Sequence, residues 1–159
     1  MNIEDCNLND LFEELRVFFT EHKNKTGKNH IQFSLVSECD VDNVVIKTDK
    51  VKLKQIFINL IGNAFKFTDF GSIKGGCRIV KEKLLFYVAD TGIGIPTDQQ
   101  QVIFDRFTQI KSPQNRFYGG TGLGLSIVKG LVNLLGGEIW LDSESGKGSV
   151  FYFSIPLIK

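Results

Sequence analysis

Apolar residues recur along the chain with two different periods, which separate predicted helices from predicted strands. A first helix, capped by Asn7 and ending near Gly27, carries apolar residues at steps of three and four: Leu8, Leu11, Phe12, Leu15, Phe18 and Phe19. A second helix is capped by Asp49 and followed by Gly71. Its predicted core-facing residues are Leu53, Ile56, Phe57, Leu60, Ile61 and Ala64. A third starts near Gly122, stops at Gly136-Gly137 and turns inward Ile127, Val128, Leu131, Val132 and Leu135.

Alternating apolar residues predict the strands. We expect them around residues 31–35, 44–46, 72–80, 84–89, 138–142 and 149–155, with the last two joined in a hairpin. Between Gly92 and Gly122 we expect no strand and one short helix, from Asp98 to Phe107. Irregular stretches of this length inside a compact domain are usually lids or binding loops. The order of elements favours an α/β fold of two layers, a sheet with helices on one face.

Composition and charge bound the classes of partner. The 159 residues fit a single domain over 1–159, which is large enough to fold without disulfides or a structural metal. A formal net charge of +1 predicts no recruitment by nucleic acid or by an anionic membrane. The longest apolar run, Leu84 to Ala89, is too short to span a bilayer, and the N-terminus shows no signal peptide. Cys6, Cys39 and Cys77 fit neither disulfide nor zinc spacing, and we interpret them as reduced thiols of a cytoplasmic domain.

Two asparagines and a lysine lie on one stripe of the second helix. Asn59, Asn63 and Lys66 fall within about 60° of one another, at the border of the apolar face. Asparagine is unfavourable inside a helix, so the pair needs a reason. It is either an amide pair at the edge of the core, or an amide ligand for a hard cation with Lys66 meeting a phosphate.

Two glycine clusters add to this stripe. Asp90 ends a buried strand and is followed by Gly92 and Gly94, where a flat ligand could approach the backbone and find a carboxylate acceptor. A second cluster, Gly119 to Gly124, runs into the third helix and favours an anion at the helix N-terminus. Each cluster alone is equally compatible with turn chemistry. Neither completes a P-loop or a Rossmann fingerprint.

In this order, the motifs closely resemble the catalytic and ATP-binding domain of sensor histidine kinases, within the superfamily of gyrase, Hsp90, histidine kinase and MutL ATPases. Residues 59–68 resemble the N box, 90–94 the G1 box, 104–107 the F box and 120–125 the G2 box; the resemblance covers about residues 3–157. Phe107-Thr108-Gln109 is similar to the hybrid kinases that carry receiver domains. The resemblance implies the Bergerat fold, a two-layer α/β sandwich of a mixed, mainly antiparallel sheet, three long helices on one face and a long ATP lid.

The resemblance also implies a role for each matching residue. Asn63 would ligate Mg²⁺ with support from Asn59, Lys66 would contact phosphate, and Phe67 would lie against the nucleoside. Asp90 would accept a hydrogen bond from the adenine amino group, with Gly92, Ile93 and Gly94 beside the ring. Residues 92–121 would form the lid, anchored by Phe104 and Phe107. The phosphates would be wrapped by Gly120, Thr121, Gly122, Leu123, Gly124 and Leu125. Some family members have an arginine where this chain has Gln109, and Arg106 is a candidate replacement.

The residue at position 59 bears on whether the chain hydrolyses ATP or transfers its phosphate. In the hydrolysing branches of the superfamily, a glutamate four residues before the metal-binding asparagine activates water, whereas this chain has Asn59. An amide is a poor general base, so transfer to another nucleophile is favoured over hydrolysis. Two other functions stay open: a slow ATPase of the gyrase, Hsp90 or MutL type, and a nucleotide-sensing interaction module without catalysis.

The phosphoacceptor is missing from the chain. The resemblance implies a histidine on a separate dimerisation hairpin, and a receiver domain or response regulator downstream. His22 and His30 are the only histidines, and we expect both at the surface. The chain is therefore expected to bind Mg-ATP without phosphorylating itself. The resemblance implies a parent kinase attached to the inner membrane through segments other than this cytoplasmic domain.

Overall fold

The fold is built from four helices and nine strands within the part of the chain that the computed structural model describes, residues 1–37, 45–100, 102–104, 110–111, 117–118 and 124–157. The helices are α1 (Leu8–Thr26), α2 (Lys50–Phe67), α3 (Thr97–Gln100) and α4 (Gly124–Leu134). The strands are β1 (Glu4–Asn7), β2 (Gln32–Ser37), β3 (Val45–Thr48), β4 (Ser72–Val80), β5 (Lys83–Asp90), β6 (Ile110–Lys111), β7 (Phe117–Tyr118), β8 (Glu138–Glu144) and β9 (Gly148–Pro156).

Helices α1 and α2 begin at their predicted caps, and α1 also ends at its predicted glycine. The side chain of Asn7 accepts a hydrogen bond from the backbone N–H of Asp10 at 3.1 Å, and α1 ends at Gly27 in the left-handed region, with φ 71°. Asp49 starts α2 by accepting from the N–H of Lys52 at 3.2 Å. A further hydrogen bond from the Asn2 N–H, together with the Lys52 bonds, holds the pKa of Asp49 below its usual range.

The main sheet has five strands in the order β2-β4-β5-β9-β8. Only β2 and β4 run parallel; the other neighbours are antiparallel, and Phe86 of β5 lies opposite Phe153 of β9. These two buried rings face the layer that contains α2, and Phe57 of α2 packs edge-on against both. The predicted two-layer α/β fold with a mixed, mainly antiparallel sheet is confirmed.

Three predictions about elements were wrong or incomplete. Strand β1, which pairs antiparallel with β3 from Glu4 opposite Thr48, was not predicted because its sequence has no apolar alternation. Strands β6 and β7 form a two-residue antiparallel ladder where no strand was expected. The short helix expected at Asp98–Phe107 is shorter, since α3 spans Thr97–Gln100 and a turn follows at residues 102–104; residues 101 and 105–107 lie outside the described part.

Two residues expected to face inward do not. Ile127 is 46% exposed, because α4 buries Leu125, Val128 and Val132, and a residue two positions from Leu125 is rotated by about 200°. Phe18 is partly exposed at the margin of the α1 stripe and lies edge-on to Phe19. Both helices therefore bury narrower stripes than the periodicity predicted.

One histidine also differs from expectation. His30 is exposed, and its Nε2 lies 2.6 Å from the backbone oxygen of Asp69. His22 is half-buried instead, with its ring 5.5 Å from those of Phe19 and Phe65, and burial followed by the nearby Lys28 charge lowers its pKa. The surface prediction was therefore wrong for His22.

The two described cysteines, Cys6 and Cys77, lie in the hydrophobic core. Cys6 and Cys77 are buried thiols, and burial raises the pKa of Cys6 to about 11, which keeps it protonated and unreactive at neutral pH. Cys39 lies outside the described residues. No helix among those described is long and apolar enough to cross a bilayer.

Candidate nucleotide-binding site

A half-buried carboxylate, that of Asp90, marks the end of β5. Alternation along the strand places Asp90 on the same face as Phe86 and Val88, toward the helices. Burial raises the pKa of Asp90 to about 6, while hydrogen bonds from the backbone N–H groups of Gly92, at 2.9 Å, and Ser149 lower it. The carboxylate is charged at neutral pH, largely out of water, and suited to accept a hydrogen bond from a ligand.

The loop after Asp90 is fixed to the end of α2. The N–H of Ile93 donates to the carbonyl of Phe67 at 3.1 Å. A Cβ added to Gly92 would lie 2.3 Å from that carbonyl oxygen, so only glycine allows this approach. On the other side, the carbonyl of Ile93 accepts from the N–H of Gly146 at 2.6 Å in the β8–β9 turn. This loop, residues 91–95, is called the G1 loop below. It is held between α2 and the last hairpin of the sheet.

Two serines that the sequence analysis missed support the same loop. The hydroxyl of Ser143 accepts from the Ile95 N–H at 2.8 Å and lies 2.7 Å from the hydroxyl of Ser149. The side chain of Gln100 donates to the carbonyls of Ile95 and Ser143 at 2.8 and 3.0 Å. The glycines of the β8–β9 turn were a signal for a tight connection, but the pairing of Ser149 with Asp90 across two strands is not visible in the sequence.

Asn63, the predicted metal ligand on α2, lies near the start of α4. Asn59 and Asn63 are half-buried and Lys66 is exposed, in agreement with a stripe at the border of the core. The oxygen Oδ1 of Asn59 accepts from Nε2 of Gln55 at 3.2 Å. The amide nitrogen of Asn63 lies 3.9 Å from the position that a Cβ on Gly124 would occupy. The N box and the last residues of the predicted G2 box are therefore adjacent in space.

A cleft of about 360 Å³ opens at the end of α2. Its walls include Phe67, Gly92 and Ile93 from the predicted site, with Phe70 and Ser145 beside them. Asp90, Asn59 and Asn63 do not line it, because Asp90 points to the helix layer whereas its neighbour Thr91, which does line the cleft, points the other way. The cleft therefore borders the end of α2 and the loop after Asp90, but not the Asp90 carboxylate itself.

Part of the predicted lid is placed by the structure. Phe104 is half-buried, edge-on to Phe151 of β9 with ring centroids 6.2 Å apart, and Ile103 beside it is buried. Leu125, predicted to lie in the G2 box, is buried in α4. The remaining predicted lid and G2 residues lie outside the described part of the chain: Arg106, Phe107, Gln109, Gly120, Thr121, Gly122 and Leu123.

One buried hydroxyl under the G1 loop has no hydrogen-bond partner among the described residues. It is Oγ1 of Thr68, and a Cβ on Gly92 would lie 2.7 Å from it. An unsatisfied buried hydroxyl costs about 1–3 kcal/mol. We therefore expect Thr68→Val, which keeps the shape, to raise the unfolding free energy by about 1 kcal/mol in a urea titration. Thr20→Val is the control, because the Thr20 hydroxyl donates to the Arg16 carbonyl at 2.8 Å; an equal gain in both variants would contradict the explanation.

The chain is similar to known proteins in both sequence and structure. The sequence profile of the histidine kinase-, DNA gyrase B- and HSP90-like ATPases matches residues 48–159. The autoinducer 2 sensor kinase/phosphatase LuxQ of Vibrio vulnificus is 44% identical over 135 residues, 81% of this chain and 16% of LuxQ. This chain therefore spans about a sixth of the length of that relative.

Solved structures of similar proteins cover the whole chain. The nucleotide-free catalytic domain of the histidine kinase ThkA superposes with a TM-score of 0.81 at 32% identity, over 100% of both chains, and ThkA has also been solved in complex with the response regulator TrrA. Full-length ShkA in complex with AMPPNP gives a TM-score of 0.85 at 28% identity, over 100% of this chain and 32% of ShkA.

Proposed function

The chain belongs to the family of histidine kinase-, DNA gyrase B- and HSP90-like ATPases, and on that premise we propose that it is the catalytic ATP-binding domain of a sensor histidine kinase. It binds Mg-ATP and donates the γ-phosphate to a histidine on a separate dimerisation and phosphoacceptor hairpin. The phosphate then passes to a receiver domain or response regulator. The domain extends over residues 1–159 and does not phosphorylate itself when isolated.

The observation that carries this proposal is the proximity of the Asn63 side chain to Gly124 at the beginning of α4. The first N–H groups of a helix have no partner within the helix and attract anions, so the start of α4 suits a phosphate chain. The Asn63 amide lies close to Gly124, at that same helix end. A side-chain amide whose oxygen could ligate a cation thus lies near a helix end that can bind an anion, which is the arrangement that a metal-bound triphosphate requires.

Asp90 would bind the opposite end of the nucleotide, the adenine base. Its largely desolvated carboxylate would accept a hydrogen bond from the adenine amino group. By the resemblance, Gly92 would lie beside the ring, in a loop that its missing Cβ lets pack against the Phe67 carbonyl. Phe67 and Lys66, in the last turn of α2, would lie against the nucleoside and contact phosphate. These roles follow from the resemblance, and the positions of the four residues at one end of the sheet support them.

Magnesium fits the donors that the chain offers. No group of three or more His, Cys, Asp or Glu side chains in the described residues could hold a metal ion by itself. The Asn63 amide oxygen would be one protein ligand, with phosphate oxygens and water completing the shell, as Mg²⁺ commonly binds. When bound, Mg²⁺ neutralises charge on the transferred phosphate.

The composition of α2 supports phosphoryl transfer over hydrolysis. The helix contains no aspartate or glutamate, and the amide of Asn59 is bonded to another amide, that of Gln55. No side chain of α2 can therefore act as a carboxylate base toward water. Multiple-turnover release of phosphate by the isolated domain would instead favour the ATPase alternative. Failure to phosphorylate a supplied hairpin despite tight binding would favour a nucleotide-sensing module.

Similar proteins support the proposed ligand and partners. ShkA has been solved with AMPPNP, an analogue of ATP, and ThkA with a response regulator. LuxQ is a sensor kinase/phosphatase. By this similarity, we propose an adenine nucleotide as ligand and a response regulator as the protein downstream.

Calorimetric titration with ADP and AMPPNP, with and without Mg²⁺, tests the proposal. We expect saturable binding by the wild type, and we expect Asn63→Ala to lose the part of the affinity that depends on magnesium, by about tenfold to a hundredfold. Asn133→Ala is the control, since this asparagine of α4 is exposed and lies outside the four motifs. Absence of binding at millimolar nucleotide would overturn the proposal.

A further inference from the structure

We propose that Lys28, which lies outside all four nucleotide-binding motifs, is a positioning residue for the nucleotide site; this inference rests on the proposed function. Its ammonium group holds the last turn of α2 in the position that the G1 loop needs. Three carbonyl groups at the end of α2 accept hydrogen bonds from two different donors, the Lys28 ammonium group and the Ile93 N–H.

The backbone of Lys28 is fixed by the end of α1. Gly27 turns the chain in the left-handed region, and the N–H of Lys28 donates to the carbonyl of Lys23 at 2.9 Å. The carbonyl of Lys28 accepts from the N–H of Ile31 at 3.1 Å. With its backbone bonded on both sides, the residue can direct its side chain toward α2 without moving.

The ammonium group caps the C-terminal end of α2. It donates to the carbonyls of Phe65 and Thr68 at 2.5 and 2.8 Å, and it lies 3.8 Å from the carboxylate of Asp69. The Lys28 side chain is only 21% exposed, so these bonds are poorly screened by water. A cation at this end of a helix also interacts favourably with the helix dipole.

Two carbonyls of α2 lie between those of Phe65 and Thr68, and one of them, that of Phe67, binds the G1 loop. The carbonyl of Phe67 accepts from the N–H of Ile93. The same oxygen is the atom nearest to the position that a Cβ on Gly92 would occupy. Lys28 therefore binds the carbonyls on either side of the one that orients the G1 loop. If the ammonium group is removed, the last turn of α2 can unwind, and Phe67 loses its position relative to both the loop and the nucleotide.

Two readouts in three variants test this inference. Lys28→Met removes the charge and keeps the stem, Lys28→Arg restores two donors, and Lys50→Met removes an ion pair with Glu14, of 3.4 Å, at the other end of α2. The first readout is the affinity for ADP with Mg²⁺, well below each variant's melting temperature. The second is amide hydrogen exchange without nucleotide, at Ile93, which donates to α2, and at Thr91, which donates to Ser72 of β4.

We expect Lys28→Met to bind ADP about tenfold more weakly, the effect of losing one charge-assisted hydrogen bond. Exchange should accelerate at Ile93 and not at Thr91, and Lys28→Arg should restore both readouts, with Lys50→Met like the wild type. A lower melting temperature with unchanged ADP affinity, or equal acceleration at both amides, would overturn the inference. A wild-type chain that binds no ADP would overturn the proposed function instead; the Ile93 readout tells the two apart because it needs no nucleotide.

Discussion

Asp90→Asn is expected to weaken adenine-nucleotide binding at pH 7.5 by about tenfold to a hundredfold and, at the same time, to make the domain more stable. Binding weakens because a hydrogen bond from the adenine amino group to a buried carboxylate is replaced by one to a neutral amide, a loss of about 1.5–3 kcal/mol. Calorimetry with ADP measures this effect. Unchanged affinity in a folded variant would remove Asp90 from the site.

The gain in stability follows from the pKa of Asp90. Burial raises the pKa from 3.8 to about 6 in the folded domain, so folding favours the protonated acid. The folded state is therefore penalised as pH rises from about 4 through 6, and the full penalty is present at neutral pH. An asparagine carries no charge and avoids it, so the variant should be more stable by about 2 kcal/mol at pH 7.5. At pH 4 the difference should vanish.

Two controls make the Asp90 result specific. Asp142→Asn changes an exposed carboxylate of β8, and we expect it to alter neither affinity nor melting temperature. In the wild type, ADP affinity should fall as pH drops through about 6, because protonation removes the acceptor. Asp90→Asn should lack that component of the pH dependence. A parallel fall in both proteins would show that another group titrates.

Phe57→Ala is expected to lower the unfolding free energy by about 3–5 kcal/mol, a large share of the 5–15 kcal/mol typical of a domain. Phe57 is fully buried, and its ring lies edge-on to Phe12 of α1, Phe86 of β5 and Phe153 of β9, with centroids 5.2–5.7 Å apart. One side chain thus joins both layers. Truncation leaves a cavity at their centre that this crowded surrounding cannot fill.

Urea titration of Phe57→Ala beside Phe70→Ala tests this reading. Phe70 is 79% exposed, so the same truncation there should cost less than about 0.5 kcal/mol. Similar losses in the two variants would contradict the central role of Phe57. In Phe57→Ala the affinity for nucleotide should decrease together with the free energy of unfolding, because Asn59 and Asn63 lie on the turns of α2 that follow Phe57.

Local chemistry explains why the long helices could be predicted from the sequence. Asn7 and Asp49 bond backbone N–H groups three residues away, and Gly27 supplies a left-handed residue, so each signal and its target lie within one turn. The β8–β9 hairpin is equally local. By contrast, β1 is a strand only because β3 lies beside it, some forty residues further along the chain. Nothing in its own four residues indicates that pairing.

The same distinction applies to the site. The sequence by itself determined the order of the motifs, the family and the residue types that carry its chemistry, because these depend on spacing within single helices and loops. Only the tertiary structure decided that Ser149 donates to Asp90, that the amide of Asn63 lies beside Gly124, and that Lys28 caps α2. Each of these contacts joins residues that are distant in the chain, so it depends on how the sheet and the helices pack. Together the contacts set the pKa of Asp90 and the positions of the side chains that the motifs contain.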